Sequence, residues 1–140
     1  MKSRKNEELK EQAKFVRWAR KQAILISSIN QSTYTTSWKA ISDNNTAGTI
    51  KGVPDLIMVI PKERRNNNMP KTILIEMKKL KGGVVSKEQK IWITALDSSD
   101  GVSAKICHGS EEAIAFTDQF LEKELPQPSD EDLQDFINNL

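Results

Sequence analysis

Apolar residues fall along this chain in short blocks, and the spacing inside each block predicts an element. From Glu7 to about Ile24 the period is helical, with Glu8, Gln12, Phe15 and Ala19 on one stripe and Val16 and Ala23 widening it. Residues 1–6 are basic and polar and are expected to fray ahead of that helix. Ile24 to Ile29 suits a short strand ending at Asn30. The polar stretch Gln31 to Ile50 has one candidate helical turn, Ser37 to Ile41, and Asp43 to Gly48 reads as loop. A connection this long in a small domain is usually functional or mobile.

Two later blocks are apolar on both faces, the pattern of strands covered on two sides. The first runs from about Asp55 to Ile60 and is stopped by Pro61; the second runs from Thr72 to Lys78. Between them, Lys62 to Lys71 carries Arg64, Arg65, three asparagines and Pro70, an exposed basic loop that closes a hairpin. Lys78, Lys79 and Lys81 lead into a flexible Gly82-Gly83 turn. Ser86 followed by Gln89 is a capping-box pattern opening a helix whose Gln89, Trp92, Ile93 and Leu96 share a face, ending near Asp97 to Gly101. Val102 to Cys107 is a final strand, and Ser110 is expected to cap a helix through Phe116, Phe120 and Leu121. Past Pro126-Gln127-Pro128, Ser129 caps an acidic amphipathic segment containing Leu133, Phe136, Ile137 and Leu140.

The expected architecture is therefore α/β: a mixed sheet of about four strands flanked by helices, in the order α-β-β-β-α-β-α plus a C-terminal acidic helix. Residues 1–125 form the domain and 126–140 an acidic extension. A length of 140 residues suits one domain with one core. No apolar run has the length of a membrane span, and there is no signal-peptide core. The single cysteine, Cys107, excludes an internal disulfide and reads as a buried small hydrophobe, in keeping with a reducing, intracellular setting.

The net charge of +2 hides an asymmetry. Residues 1–110 carry 20 Lys and Arg against 10 acids, whereas residues 111–140 carry one Lys against nine acids. Such a basic body suits either a polyanionic partner, nucleic acid above all, or a mixed and well-solvated surface.

Asp55 at the start of one core strand, and Glu76 two residues before Lys78 at the end of the next, are costly there unless paired or bound to metal. Glu76 and Lys78 share a strand face, and the Met77 carbonyl lies between them. Carboxylates with a nearby lysine suit a hard divalent cation such as Mg²⁺, which can activate water and offset charge on a phosphate, with the Met77 carbonyl as a third oxygen ligand open to it. Lys78 would orient the nucleophile or stabilise the pentacoordinate phosphate. One Cys and one His cannot make a zinc cluster, no Walker loop or GxGxxG is present, and His108 reads as a surface residue at a strand end.

Gly52-Val53-Pro54-Asp55, then Ile75-Glu76-Met77-Lys78, then Ser86-Lys87-Glu88-Gln89 with Trp92 resemble the PD-(D/E)xK nuclease superfamily. The branch they most resemble is the VRR-NUC domain, particularly its small stand-alone bacteriophage versions. Glu8-x-x-x-Gln12 with Trp18 resembles that family's opening helix, and Gly101 and Gly109-Ser110-Glu111-Glu112-Ala113 its last strand and helix. The likeness covers roughly residues 7–122. It implies a restriction-endonuclease-like core in which Asp55, Glu76 and Glu8 bind Mg²⁺ or Mn²⁺, Lys78 assists catalysis and Gln89 lines the site. Glu11 is the alternative acid if the helix register shifts, and a solvated first turn is the plain reading of Glu8. The family often has Asn-Gly after the first strand; here Asn30-Gln31 stands there, so no role is assigned to Asn30.

The function expected from this resemblance is a metal-dependent DNA endonuclease, structure-selective on branched DNA as a Holliday-junction resolvase or a nicking enzyme, with branched or duplex DNA as its partner, a homodimer as one possible assembly, and the cytoplasm of a phage or prophage host as its location. Lys51, Arg64, Arg65, Lys79, Lys81 and Lys87 are candidate contacts to the DNA backbone. The alternative is a non-catalytic DNA-binding or partner-recruiting module on the same fold. The acidic extension either docks on a second subunit, shields the basic face, or is a solvated appendage.

Overall fold

The computed structural model describes residues 4–29, 37–67, 72–123 and 129–140. Asn30, the 68–71 end of the hairpin loop and Pro126-Gln127-Pro128 lie outside them. Along the chain run α1 (Arg4–Lys21), β1 (Leu25–Ser28), α2 (Trp38–Thr46), β2 (Leu56–Val59), a 3-10 turn (Lys62–Arg64), β3 (Thr72–Lys78), α3 (Lys87–Asp97), β4 (Val102–His108), α4 (Ser110–Asp118) and α5 (Asp130–Asn138). The four strands form one mixed sheet in the order β1-β2-β3-β4. The two hairpin-like pairings, β1 with β2 and β2 with β3, are antiparallel. The β3–β4 pairing is parallel, with α3 as the crossover that such a connection requires.

Alternation along the strands sorts side chains onto two faces. Leu56, Met58, Ile73, Ile75, Met77 and Cys107 point one way and are buried with Phe15 and Ala19 of α1 and Ala113 of α4. On the other face β3 presents Leu74, Glu76 and Lys78, all buried, on the side where α3 packs. Full burial on both faces, expected of both inner strands, holds for β3 only. On β2 the outward Ile57 and Val59 are 37% and 40% exposed, because α3 covers β3 and β4 and stops short of β2. Cys107 is fully buried, and burial, then the nearby Glu112 carboxylate, pushes its thiol up to about 12.

Several local expectations are corrected. Residues 43–46, read as loop, belong to α2, a helix whose N-cap Ser37 accepts from the Ala40 N–H. The Asp, Asn and Thr there are weak helix formers, which is what hid the helix. Helix α1 starts at Arg4, ahead of the expected Glu7. The N-cap of α4 is Gly109 at φ +89°, not Ser110, and α4 ends at Asp118, before Phe120 and Leu121. Asp55 stands just outside β2 rather than opening it. Helix α5 has a complete Ser129–Asp132 capping box, whose two hydrogen bonds from Ser129 hold the Asp132 carboxyl below its ordinary range. It touches α1, but none of its residues is buried.

Gly52 sets the spacing between the β2 approach and α3. At φ +94°, a Cβ on it would lie 2.6 Å from the Glu88 carbonyl carbon and 2.8 Å from the Gln89 nitrogen, both helix backbone. Gly48 has a similar φ of +89° with nothing within 4 Å. Gly48→Ala therefore carries only the left-handed strain, whereas Gly52→Ala adds displacement of the first turn of α3. Denaturant titration should show Gly52→Ala losing about 1–3 kcal/mol more than Gly48→Ala, the ordinary cost of overpacking. Equal losses would show that the close approach is not a constraint.

Candidate active site

The antiparallel register assembles the site. Pairing Leu56 with Ile75 makes Asp55 and Glu76 the next opposed residues, and β3 runs on past β2 through Met77 and Lys78. Opposed antiparallel residues share a face, with Cβ atoms about 4.5–5.5 Å apart. Asp55 is fixed twice: its carbonyl accepts from the Ile29 N–H at 2.7 Å, and its Oδ2 accepts from the Met77 N–H at 2.9 Å. The N–H and C=O of one strand residue point to the same side. The Met77 carbonyl is therefore directed towards Asp55, while that of Lys78 turns the other way and accepts from the Gly109 N–H.

Glu76 is 4% exposed. Its Oε1 accepts from Gln89 Nε2 at 2.7 Å and lies 3.7 Å from Lys78 Nζ. Its Oε2 is buried and has no hydrogen-bond partner. Gln89 is held at its other end too: its Oε1 accepts from the Ser86 N–H at 2.9 Å, and its own N–H donates to Ser86 Oγ at 3.1 Å. The same residue thus closes the capping box and grips Glu76, so the two roles its position allows are both filled.

Burial raises the proton affinity of both acids. Burial first, then the Asp55 charge, pushes Glu76 up to about 8 against the pull of Lys78. Asp55 is raised as well, chiefly by burial, with the Met77 N–H and Lys78 opposing and the charge of Glu8 adding to the rise. A buried carboxylate oxygen without a partner, a second acid beside it and a strand carbonyl on the same side make an all-oxygen donor set that fits a hard divalent cation. Among the described residues no three His, Cys, Asp or Glu side chains form a metal cluster. One or two carboxylates completed by waters are nevertheless a common way to hold Mg²⁺.

A family model, the VRR-NUC domain, matches residues 2–111. The chain belongs to the VRR-NUC domain family. VRR-NUC domains are nuclease domains. A solved structure described as a VRR_NUC domain protein is similar in fold, with a TM-score of 0.57 and 22% identity over 81% of this chain and 87% of that one. None of the curated proteins compared matches the chain.

Within this VRR-NUC domain the structure brings together Asp55, Glu76, Met77, Lys78 and Gln89, with half-buried Glu8 near enough for its charge to act on Asp55. Glu11, the alternative acid, is engaged elsewhere. It is buried, accepts from Ser110 Oγ at 3.3 Å and pairs with Lys14 at 3.5 Å, tying α1 to the start of α4. Arg64 corrects the basic-loop expectation. It is buried, and its Nε and Nη2 donate to the carbonyl and Oε1 of Gln22 at 3.1 and 3.0 Å, so it pins the turn after α1 and is not presented to a phosphate. Arg65 is half-buried beside it and bridges the Leu121 backbone. Lys51, Lys81 and Lys87 are exposed, and Lys79 is half-buried. His108, read as a surface residue, is the β4 register partner of Lys78, half-buried, with Nδ1 3.3 Å from the Lys79 carbonyl. Only the parallel register shows this, and no local signal at His108 announces it.

The raised acids fix the sign of a pH effect. Between about 4.5 and about 8 the folded protein holds a proton on Glu76 that the unfolded chain releases, so stability falls as pH rises through that window. In EDTA the melting temperature should drop from pH 5 to pH 8, and Glu76→Gln should flatten the drop. Mg²⁺ or Mn²⁺ should restore stability at pH 8 and do little at pH 5. A wild-type profile that rises across the window would contradict the raised proton affinity of the two acids.

Proposed function

We propose that this protein is a metal-dependent DNA endonuclease with a PD-(D/E)xK core, cutting branched or otherwise structured DNA in the manner of a stand-alone phage enzyme. The single observation that carries this reading is buried Glu76, its Oε2 without a hydrogen-bond partner and its Oε1 3.7 Å from Lys78 Nζ, opposite half-buried Asp55. Asp55, Glu76 and the Met77 carbonyl would hold Mg²⁺ or Mn²⁺, with Glu8 closing the site from α1. The bound cation supplies a water of lowered pKa and offsets charge on the phosphate.

The chain's own residues do the rest. Gln89 and the Met77 N–H fix the two carboxylates, so that their geometry does not await substrate. Lys78, on the face of Glu76, orients the attacking water and stabilises the pentacoordinate phosphorus through its ammonium. Lys51, Lys79, Lys81 and Lys87 contact the DNA backbone, which positions DNA without reading its bases. Two subunits would cut the two strands of a junction as a pair. Residues 1–125 constitute the nuclease domain, and the acidic 126–140 segment is an appendage to it.

The test is cleavage of labelled linear duplex, single strand, flap and four-way junction with Mg²⁺, Mn²⁺ or EDTA. Glu76→Ala and Lys78→Ala should each reduce turnover by on the order of 10²–10³-fold or more while largely sparing DNA binding. Undiminished cutting in both variants would sink the assignment. Binding without cutting in the wild type would transfer it to the non-catalytic module.

A further inference from the structure

Helix α2 is held in an unusual way. Among the described residues it packs against no other helix or strand, and none of its residues is buried. A helix of nine residues is marginal on its own, and its Ser, Asp, Asn and Thr do not favour it. Among the described residues no other element packs on this helix, so what it presents becomes the question. Its first residue, Trp38, is 85% exposed. A single exposed apolar side chain is ordinary. A tryptophan at the tip of a helix that contributes nothing to the core is less so.

The position of the helix in the fold supplies the partner. The connection carrying α2 leaves β1 where the Ile29 N–H donates to the Asp55 carbonyl, and it returns where Trp92 Nε1 donates to the Lys51 carbonyl at 3.1 Å. Its two ends are therefore fastened at the Asp55 backbone and at the second turn of α3. Lys39 beside Trp38, Lys51 at the return, and Lys87, next to the Glu88–Gln89 backbone that Gly52 abuts, are all exposed cations. Cations that take phosphates, one of them next in the chain to an exposed aromatic face that takes an apolar plane, suit a nucleic acid strand with an unpaired base. An intact duplex offers the phosphates but keeps its bases stacked.

We propose that α2 is a stacking platform, with Trp38 receiving a base that is unpaired in the substrate, and that this helix makes the nuclease selective for DNA with single-stranded or distorted segments. The inference rests on DNA being the substrate of the site described above.

The experiment is fluorescence anisotropy in EDTA, so that binding is read without cleavage. It compares a blunt duplex with the same duplex carrying a single-nucleotide gap or a flap, for the wild type, Trp38→Phe and Trp38→Ala. Trp38→Ala should weaken gapped and flapped DNA by roughly 5- to 100-fold, the range expected for losing one stacked base, and change blunt duplex by less than about twofold. Trp38→Phe should keep most of the preference, and the melting temperatures of all three should agree because the side chain is outside the core. Equal losses on every DNA, or no loss on any, overturn the proposal. So does a change of oligomeric state in Trp38→Ala without a change in preference, since α2 would then be an interface between copies. If the wild type binds no DNA, the nuclease reading falls with it. If the wild type binds and cuts while Trp38→Ala is unchanged, only the platform falls.

Discussion

The structure is built around a repulsion. The β2–β3 register places Asp55 opposite Glu76 on one sheet face, where like charges destabilise a strand pair. Everything near them answers that cost. The Met77 N–H holds one carboxylate, Gln89 and Lys78 hold the other, and burial favours a retained proton over two bare charges. The pair is tolerable because β3 is the best-supported strand in the sheet, hydrogen-bonded on both sides and covered on both faces. A one-residue slip of β2 would part the acids and turn Leu56 and Met58 out of the core, so the same apolar pattern that builds the core also fixes the site.

Helix α1 links the two halves of this arrangement. Phe15 and Ala19 bury its lower turns under the sheet, Glu11 engages the start of α4 through Ser110, and Glu8 one turn earlier is near enough for its charge to act on Asp55. The period of the helix thus distributes packing, anchoring and charge along a single stripe. Arg64 fastens its far end by gripping Gln22, an engagement that places a cation inside the protein rather than on its basic surface.

Much of this was legible in the sequence. The strands around Asp55 and Glu76, the capping box at Ser86, the stripe of α3 and the burial of Cys107 all follow from short-range pattern. What was hidden depends on long-range geometry or weak propensity. Helix α2 consists of residues that disfavour helices, Arg64 looks like every other loop arginine until Gln22 arrives from 42 positions away, and His108 meets Lys78 only through the parallel pairing of β4. Gly109 took the cap from Ser110 because a positive φ is needed there and the Ser110 hydroxyl is spent on Glu11. Glu8 and Glu11 could not be separated by periodicity alone, since both lie on the inward half of α1.

The double engagement of Gln89 has a consequence for how the protein can change over time. Its amide oxygen terminates the backbone of α3 and its amide nitrogen orients Glu76, so a helix end and a carboxylate share one side chain. On the proposed function, Ser86 and Gly52, which would touch no reacting group, inherit the intolerance of those that would. Drift at either position would disturb the orientation of Glu76 along with the start of α3. The set of positions that hold the carboxylate pair accordingly extends well beyond the two acids themselves.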